Sequence, residues 1–243
     1  MQNAILSMPD VVSDKAAVTI SEAIASRQSI RKFQSRPVSL KQVSEILRIA
    51  SNTPSGSNLQ PWSVFALAGQ PLKRLGDDIQ RAYLSDETGH QRDYKYYAEE
   101  LIEPYLGRKR ACGWGLYGTL GIARHEKQRM KAQRSTNYNF FGAPVGLVCT
   151  IDSRLEIGSW MDFGGFVQTV MLAARELGLH TCAQASIAEY PKIVRAHLPI
   201  DEKQLVLCGI AIGYADLGAP VNQFRTERAA VDQFATFAGF EYD

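Results

Sequence analysis

Arg27, Ser29 and Arg31, in the run RQSIRKF at 27–33, alternate along the chain, so an extended backbone sends all three side chains out from one face. Two guanidinium groups and a hydroxyl then converge. Guanidinium groups are costly to bury without a partner, and the planar fork of arginine matches the oxygens of a phosphate monoester, so the spacing points to an anion. A second polar segment follows about one helix later. In PSGSNLQPW at 54–62, Ser55, Ser57, Asn58 and Gln60 offer donors and acceptors at close spacing, Gly56 permits a backbone conformation that other residues resist, and Pro61 closes the turn. Such a turn suits a flat heterocycle.

At these residues, and again at LGLHTCAQAS (177–186) and NQFRTER (222–228), the sequence resembles the nitroreductase family of FMN-dependent oxidoreductases. Members of that family carry an Arg-x-Ser-x-Arg/Lys element followed by Pro-Ser-x-x-Asn-x-Gln-Pro-Trp. The resemblance implies an α+β fold, a nitroreductase-like sandwich whose central, mostly antiparallel mixed sheet is flanked by helices. It also implies an intertwined homodimer with FMN at the interface. The FMN contacts it implies come from Arg27, Gln28, Ser29 and Arg31, and from Pro54, Ser55, Gly56, Ser57, Asn58 and Gln60. Ala183, Gln184, Ala185 and Ser186 join them, in a stretch that in the family follows the flavin edge with a backbone N–H near the hydride-accepting nitrogen. Some relatives have Pro and Glu where this chain has Ala183 and Ala185, and small side chains let a backbone approach a ring closely. The C-terminal landmark brings Arg225 or Arg228 to the phosphate beside Arg27, with Arg228 the better match to the Lys-x-Arg of some relatives.

The implied chemistry is a ping-pong reaction in which NADH or NADPH reduces FMN, and a nitroaromatic, quinone or related small aromatic acceptor then reoxidises it. A flavin-dependent dehalogenase or flavin reductase of the same fold, or a flavin-binding protein without turnover, is the alternative. No Ser-His-Asp, Cys-His or paired-carboxylate pattern is visible, so no catalytic side chain is named, as suits a reaction carried by a cofactor. Trp114, Tyr117, Phe140 and Phe141 are either walls of a slot that stacks aromatic acceptors or ordinary core residues. In GWGLYG, Gly113, Gly115 and Gly118 imitate a dinucleotide-binding glycine motif, but no buried strand precedes them and no acidic residue stands about 20 positions on. They fit better as a close-packing helix surface or a pocket border.

The elements that position these groups are legible from periodicity and capping. Thr19 with Glu22, and Ser39 with Gln42, form capping boxes, the first opening a short helix that delivers Arg27 and the second a helix closed by Pro54. Strands are expected at 63–68, 145–151, 180–184 and 204–212, a helix beginning near Pro71, helical pattern over 95–136, and a long core helix at 159–177 stopped by Gly178.

A chain of 243 residues, 45% hydrophobic and without a linker-like stretch, fits one domain over 19–243 after a loose extension at 1–18. A net charge of +2 gives no field for nucleic acid, and the basic run GRKRACGW at 107–114 is a solvated helix face or a pocket rim. Pro9 and Asp10 interrupt the leading segment and no apolar run approaches membrane length, so no membrane association and a cytoplasmic location are expected. The four cysteines and four histidines are scattered, which argues against disulfides and a structural metal. Phe234, Phe237 and Phe240 make the tail too apolar to stay in water, so it packs on its own core or on a second copy.

Overall fold

Both capping boxes form. In the computed structural model, which describes residues 12–240, Thr19 Oγ1 accepts from the Glu22 N–H and the Glu22 carboxylate accepts from the Thr19 N–H, opening α1 (Ile20–Ser26). Ser39 and Gln42 repeat the exchange at the start of α2 (Leu40–Ala50). The chain continues through β1 (Ser63–Ala68), α3 (Gly69–Leu84), α4 (Tyr105–Thr119), α5 (Lys127–Ser135), β2 (Val145–Asp152), α6 (Ile157–Glu176), β3 (His180–Gln184), α7 (Pro191–His197) and β4 (Gln204–Gly213).

The four strands lie in the order β1-β2-β4-β3, and each adjacent pair is antiparallel. An isolated parallel bridge from Ser29 to Thr181 ties the arginine run to the β3 edge, so the fold is α+β with a mostly antiparallel sheet. Side chains alternate across the sheet as the pleat requires. Leu147, Cys149 and Ile151 of β2 join Ile46 of α2 and Phe163 and Val170 of α6 on one face, whereas Val148 joins Leu75 and Ile79 of α3 and Val194 of α7 on the other.

Two expectations change here. The helical pattern over 95–136 resolves into α4 and α5 with irregular chain up to Pro104, and α4 buries none of its residues. Its glycines, aromatics and charges do not segregate onto one face, so nothing in the pattern fixed where it would begin. Phe140 and Phe141, candidate slot walls, are 0% and 3% exposed and sit in the core. A Cβ added at Gly146 of β2 or Gly209 of β4 would stand 2.8 and 3.0 Å from the Phe140 ring, so the two glycines form the socket that receives it. Burying that ring stabilises the fold by about 2–3 kcal/mol.

The leading segment divides. Residues 1–11 lie outside the described residues, while Val12 is buried and the Ala17 N–H donates to the Arg175 carbonyl at 3.0 Å. α7 was not foreseen; its seven residues are too few to display a period, although Pro191 stands at its N-terminus, where proline favours a helix.

Candidate functional site

The arginine run leaves α1 in an extended conformation, with Arg27 at φ −67°, ψ 125°, and the Ile30 N–H donating to the Thr181 carbonyl at 3.0 Å. Alternation then separates the side chains. Gln28 and Ile30 are 6% and 0% exposed, while Arg27, Ser29 and Arg31 border a cavity of about 150 Å³. Arg225, Thr226 and Arg228 from the C-terminal segment close it, together with Cys112 and Phe224. Segments far apart in the sequence therefore meet at one small polar cavity, and its described lining residues include four arginines and no Asp. Burial, and then the charge of Arg228, hold Arg27 below its ordinary pKa. Arg228 is itself oriented, Nη1 donating to Thr226 Oγ1 at 2.6 Å and to the Glu227 carbonyl at 2.9 Å.

Asn222 joins the two segments. It is 1% exposed; its Oδ1 accepts from the Arg31 N–H, and its Nδ2 donates to the carbonyls of Lys32 and Asp216, each at 2.8 Å. Gln28 Nε2 donates to the Asn222 carbonyl at 2.8 Å, so the Gln28 amide points inward although the residue borders the cavity. Sequence alone gave no role to Asn222, although it opens the C-terminal landmark.

Arg175 is a second residue that the sequence did not reveal. It is 1% exposed, and its guanidinium donates to Ser26 Oγ at 3.1 Å, the Leu179 carbonyl at 3.0 Å and the Lys15 carbonyl at 2.6 Å, fixing the end of α1 immediately before Arg27. His180 Nε2 lies 3.0 Å from the Ser13 carbonyl, and burial followed by the Arg175 charge pushes its pKa down to about 3. An arginine in the last turn of a helix reads in sequence as an ordinary solvated cap, and only the fold shows it enclosed.

The serine- and asparagine-bearing turn is held elsewhere. Asp162 Oδ2 in α6 accepts from the Gly56 N–H at 3.0 Å, and Ser55 Oγ accepts from the Gln60 N–H at 2.9 Å. Although Gly56 would permit left-handed angles, they fall on Ser57 (φ 49°), Asn58 (φ 59°) and Gln60 (φ 49°). Three such residues cost about 1 kcal/mol or more each, and backbone strain of this kind concentrates at ligand sites. Their side chains are exposed along with Pro54.

Asp162 anchors this turn near the start of α6, whereas Arg175 anchors the arginine run at its end. Thirteen helical positions, about 20 Å at ~1.5 Å per residue, separate the two anchors.

The model of the nitroreductase family matches residues 24–214, a span that holds the arginine run, the turn and all four strands. The chain belongs to the nitroreductase family. It is 39% identical over 221 residues to the 4-nitrobenzoate reductase of Pseudomonas putida, covering 90% of this chain and 95% of that one. It is 35% identical to the chloronitrobenzene nitroreductase of Comamonas testosteroni, covering 90% and 96%. Among solved structures, the FMN and NADPH-dependent nitroreductase NfnB of Sphigopyxis sp. strain HMH superposes with a TM-score of 0.88 at 38% identity, covering 92% of this chain and 100% of that one. The FMN-dependent NfnB of Mycobacterium smegmatis in complex with NADPH gives 0.84 at 30% identity, covering 89% and 96%.

In this nitroreductase-family chain the stretch 183–186 spans the end of β3, whose Thr181 bridges to Ser29, and the turn that follows it. Gln184 Nε2 donates to the Asn137 carbonyl at 2.6 Å, which fixes the strand end while Ala183 stays exposed; Ala185 and Ser186 are half-buried and do not border the arginine cavity. Trp114 and Tyr117 are half-buried on α4 with ring centroids 6.2 Å apart, and the Arg124 guanidinium lies 4.6 Å from the Trp114 centroid. Of the decoy glycines, Gly115 has a packing role: a Cβ there would stand 2.6 Å from the Phe224 ring, so its absence lets a cavity wall rest on α4. Among the described residues, no group of three or more His, Cys, Asp or Glu could hold a metal, all four cysteines are free, and no helix is long and apolar enough to cross a membrane.

Proposed function

We propose that this protein is an FMN-dependent oxidoreductase that takes hydride from NADH or NADPH and, by a ping-pong mechanism, reduces nitroaromatic acceptors, with quinones and related rings as further substrates. The observation that carries the proposal is the cavity in which Arg27 and Arg31 from one segment converge with Arg228 from the other, with Arg225 beside them, since a phosphate monoester matches arginine forks. The names of the relatives support the choice of acceptor, and the NfnB structures support that of cofactor and hydride donor. FMN, when bound, supplies the redox chemistry, receiving the hydride and passing electrons on to the acceptor.

The protein's own residues bind and orient. The arginines and Ser29 grip the phosphate, and the strained turn presents Ser57, Asn58 and Gln60 to the ring. A ribityl chain is too short to bridge the distance between the two anchors on α6, so the turn that completes each site comes from a second copy of the chain. Exposed apolar residues support that homodimer. Leu59 in the turn and Ile157 and Met161 beside it on α6 are 57%, 81% and 76% exposed, and the tail rings Phe237 and Phe240 meet edge to face, 5.8 Å apart, while staying exposed. The four free thiols and the nicotinamide donor suit a cytoplasmic enzyme.

The purified protein is expected to be yellow, to bleach when mixed anaerobically with NADPH, and to regain its colour on addition of 4-nitrobenzoate. A yellow protein that does not bleach is a flavin carrier, and a colourless one defeats the proposal. Arg27→Ala is expected to weaken FMN binding about tenfold to a hundredfold, measured by fluorescence titration of the stripped protein.

A further inference from the structure

We infer that Cys149 and Cys208 form an oxidisable dithiol, which hydrogen peroxide converts into a disulfide between β2 and β4 and which small thiols restore. The register of the sheet carries this. Cys149 of β2 stands directly opposite Cys208 of β4, and both pack with the cluster of Ile46, Phe163 and Val170 on one face of the sheet. Cα atoms so opposed lie about 4.5 or 5.5 Å apart, and both spacings fall inside the range of about 4.4–6.8 Å that a disulfide accepts. The other two thiols have no cysteine opposite them in the sheet. Cys182 of β3 faces Ala211 of β4, and Cys112 lies on α4.

The two sulfurs differ in reach. Cys149 is 0% exposed, and hydrogen bonding to Cys208, then burial, push its thiol pKa up, so Cys149 keeps its proton. Cys208 is half-buried beside a bulge: Cys149 pairs with it and Thr150 with Val206, which leaves Leu207 as the extra residue. A loop covers that bulge. Tyr94 donates from its hydroxyl to the Leu207 carbonyl at 2.6 Å, and Asp93 Oδ2 accepts from the Val206 N–H at 3.3 Å, yet neither Asp93 nor Tyr94 belongs to a helix or strand. Such a cover opens at lower cost than the sheet beneath it, and Cys208 then meets a small oxidant first.

Oxidation runs in two balanced steps. The Cys208 thiolate attacks one oxygen of the peroxide, the O–O bond breaks, and the departing hydroxide takes up a proton and leaves as water, giving a sulfenic acid. The Cys149 sulfur then attacks the Cys208 sulfur, its proton passes to the departing hydroxide, and a second water leaves. The two thiols lose two electrons and two protons, and one peroxide becomes two waters.

Treating the full chain with a small excess of hydrogen peroxide, alkylating it in denaturant and mapping its unreduced tryptic peptides by mass spectrometry tests this. A peptide pair joined through Cys149 and Cys208 and parted by dithiothreitol is expected, with titratable thiols falling from four to two. Cys149→Ser is expected to leave Cys208 as a sulfenic acid that dimedone captures, and Cys208→Ser to leave Cys149 unmodified at the same dose. Four thiols that survive the treatment, a linkage through Cys112 or Cys182, a sulfenic acid trapped at Cys149 instead of Cys208, or a Cys208 driven to sulfinic acid without linkage overturns the inference. Each result is read in the unsubstituted protein as well as in the variants, and none depends on bound flavin.

Discussion

The arginine pocket and the serine- and asparagine-bearing turn are built by opposite strategies. The pocket is finished when one chain folds: Asn222 joins its two segments, Arg175 supports it from beneath, and Arg27 is partly withdrawn from water. The turn is tied to α6 by the Asp162 bond to the Gly56 N–H and by Trp62 stacked on Phe166, its polar side chains at Ser57, Asn58 and Gln60 are exposed, and those three residues take left-handed backbone angles. On the proposed reading, the charged pocket grips the cofactor within one chain, and the exposed turn at the other end of α6 meets the ring only after association.

The sharpest way to break this contrast is to separate the copies. Met161→Arg, on the exposed face of α6 beside the turn, is expected to give a monomer whose FMN affinity falls on the order of a thousandfold, since ring burial is lost while phosphate contacts remain. Sedimentation and flavin fluorescence report both effects, and a monomer that keeps its FMN would remove the distinction. Next in size is Arg175→Ala, which strips donors from the Leu179 and Lys15 carbonyls and is expected to lower stability by about 3 kcal/mol in urea unfolding.

The pocket side should also respond to pH. His180 titrates near 3 in the folded chain, below its ordinary 6.5, so the unfolded chain binds the extra proton. Stability is therefore complete above about pH 6.5 and declines as pH falls toward 3, by about 2 kcal/mol at pH 5. His180→Gln is expected to flatten that slope. The smallest effect belongs to the turn: Asp162→Ala removes the acceptor for the Gly56 N–H and should weaken FMN binding about fivefold, with thermal stability almost unmoved.

Much of this was legible in the sequence because the signals are local. Capping boxes at Thr19 and Ser39, the stop at Gly178 and the apolar runs of all four strands each depend on a few neighbouring residues, and each forms where expected. The alternation of Arg27, Ser29 and Arg31 also survives folding, because the bridge from Ser29 to Thr181 holds that run extended. What could not be read depends on partners remote in sequence. Phe140 becomes core only because Gly146 and Gly209, on two different strands, leave room for it. Arg175 becomes a buttress because Ser13 and Lys15 return across it. Left-handed angles at Ser57 and Gln60 run against their residue types, Asn58 being the one of the three that tolerates them, so a reading from propensity looks to Gly56 instead.

The separation of the two anchors along α6 has a genetic corollary. Each site of the proposed dimer would draw arginines from one polypeptide and its turn from the other, so two defective alleles, one altered at Arg27 and one at Asn58, are complementary. Co-expressed in equal amounts and assorting at random, they should recover about a quarter of full activity, because half the assemblies are hybrids and every hybrid retains one intact site of its two.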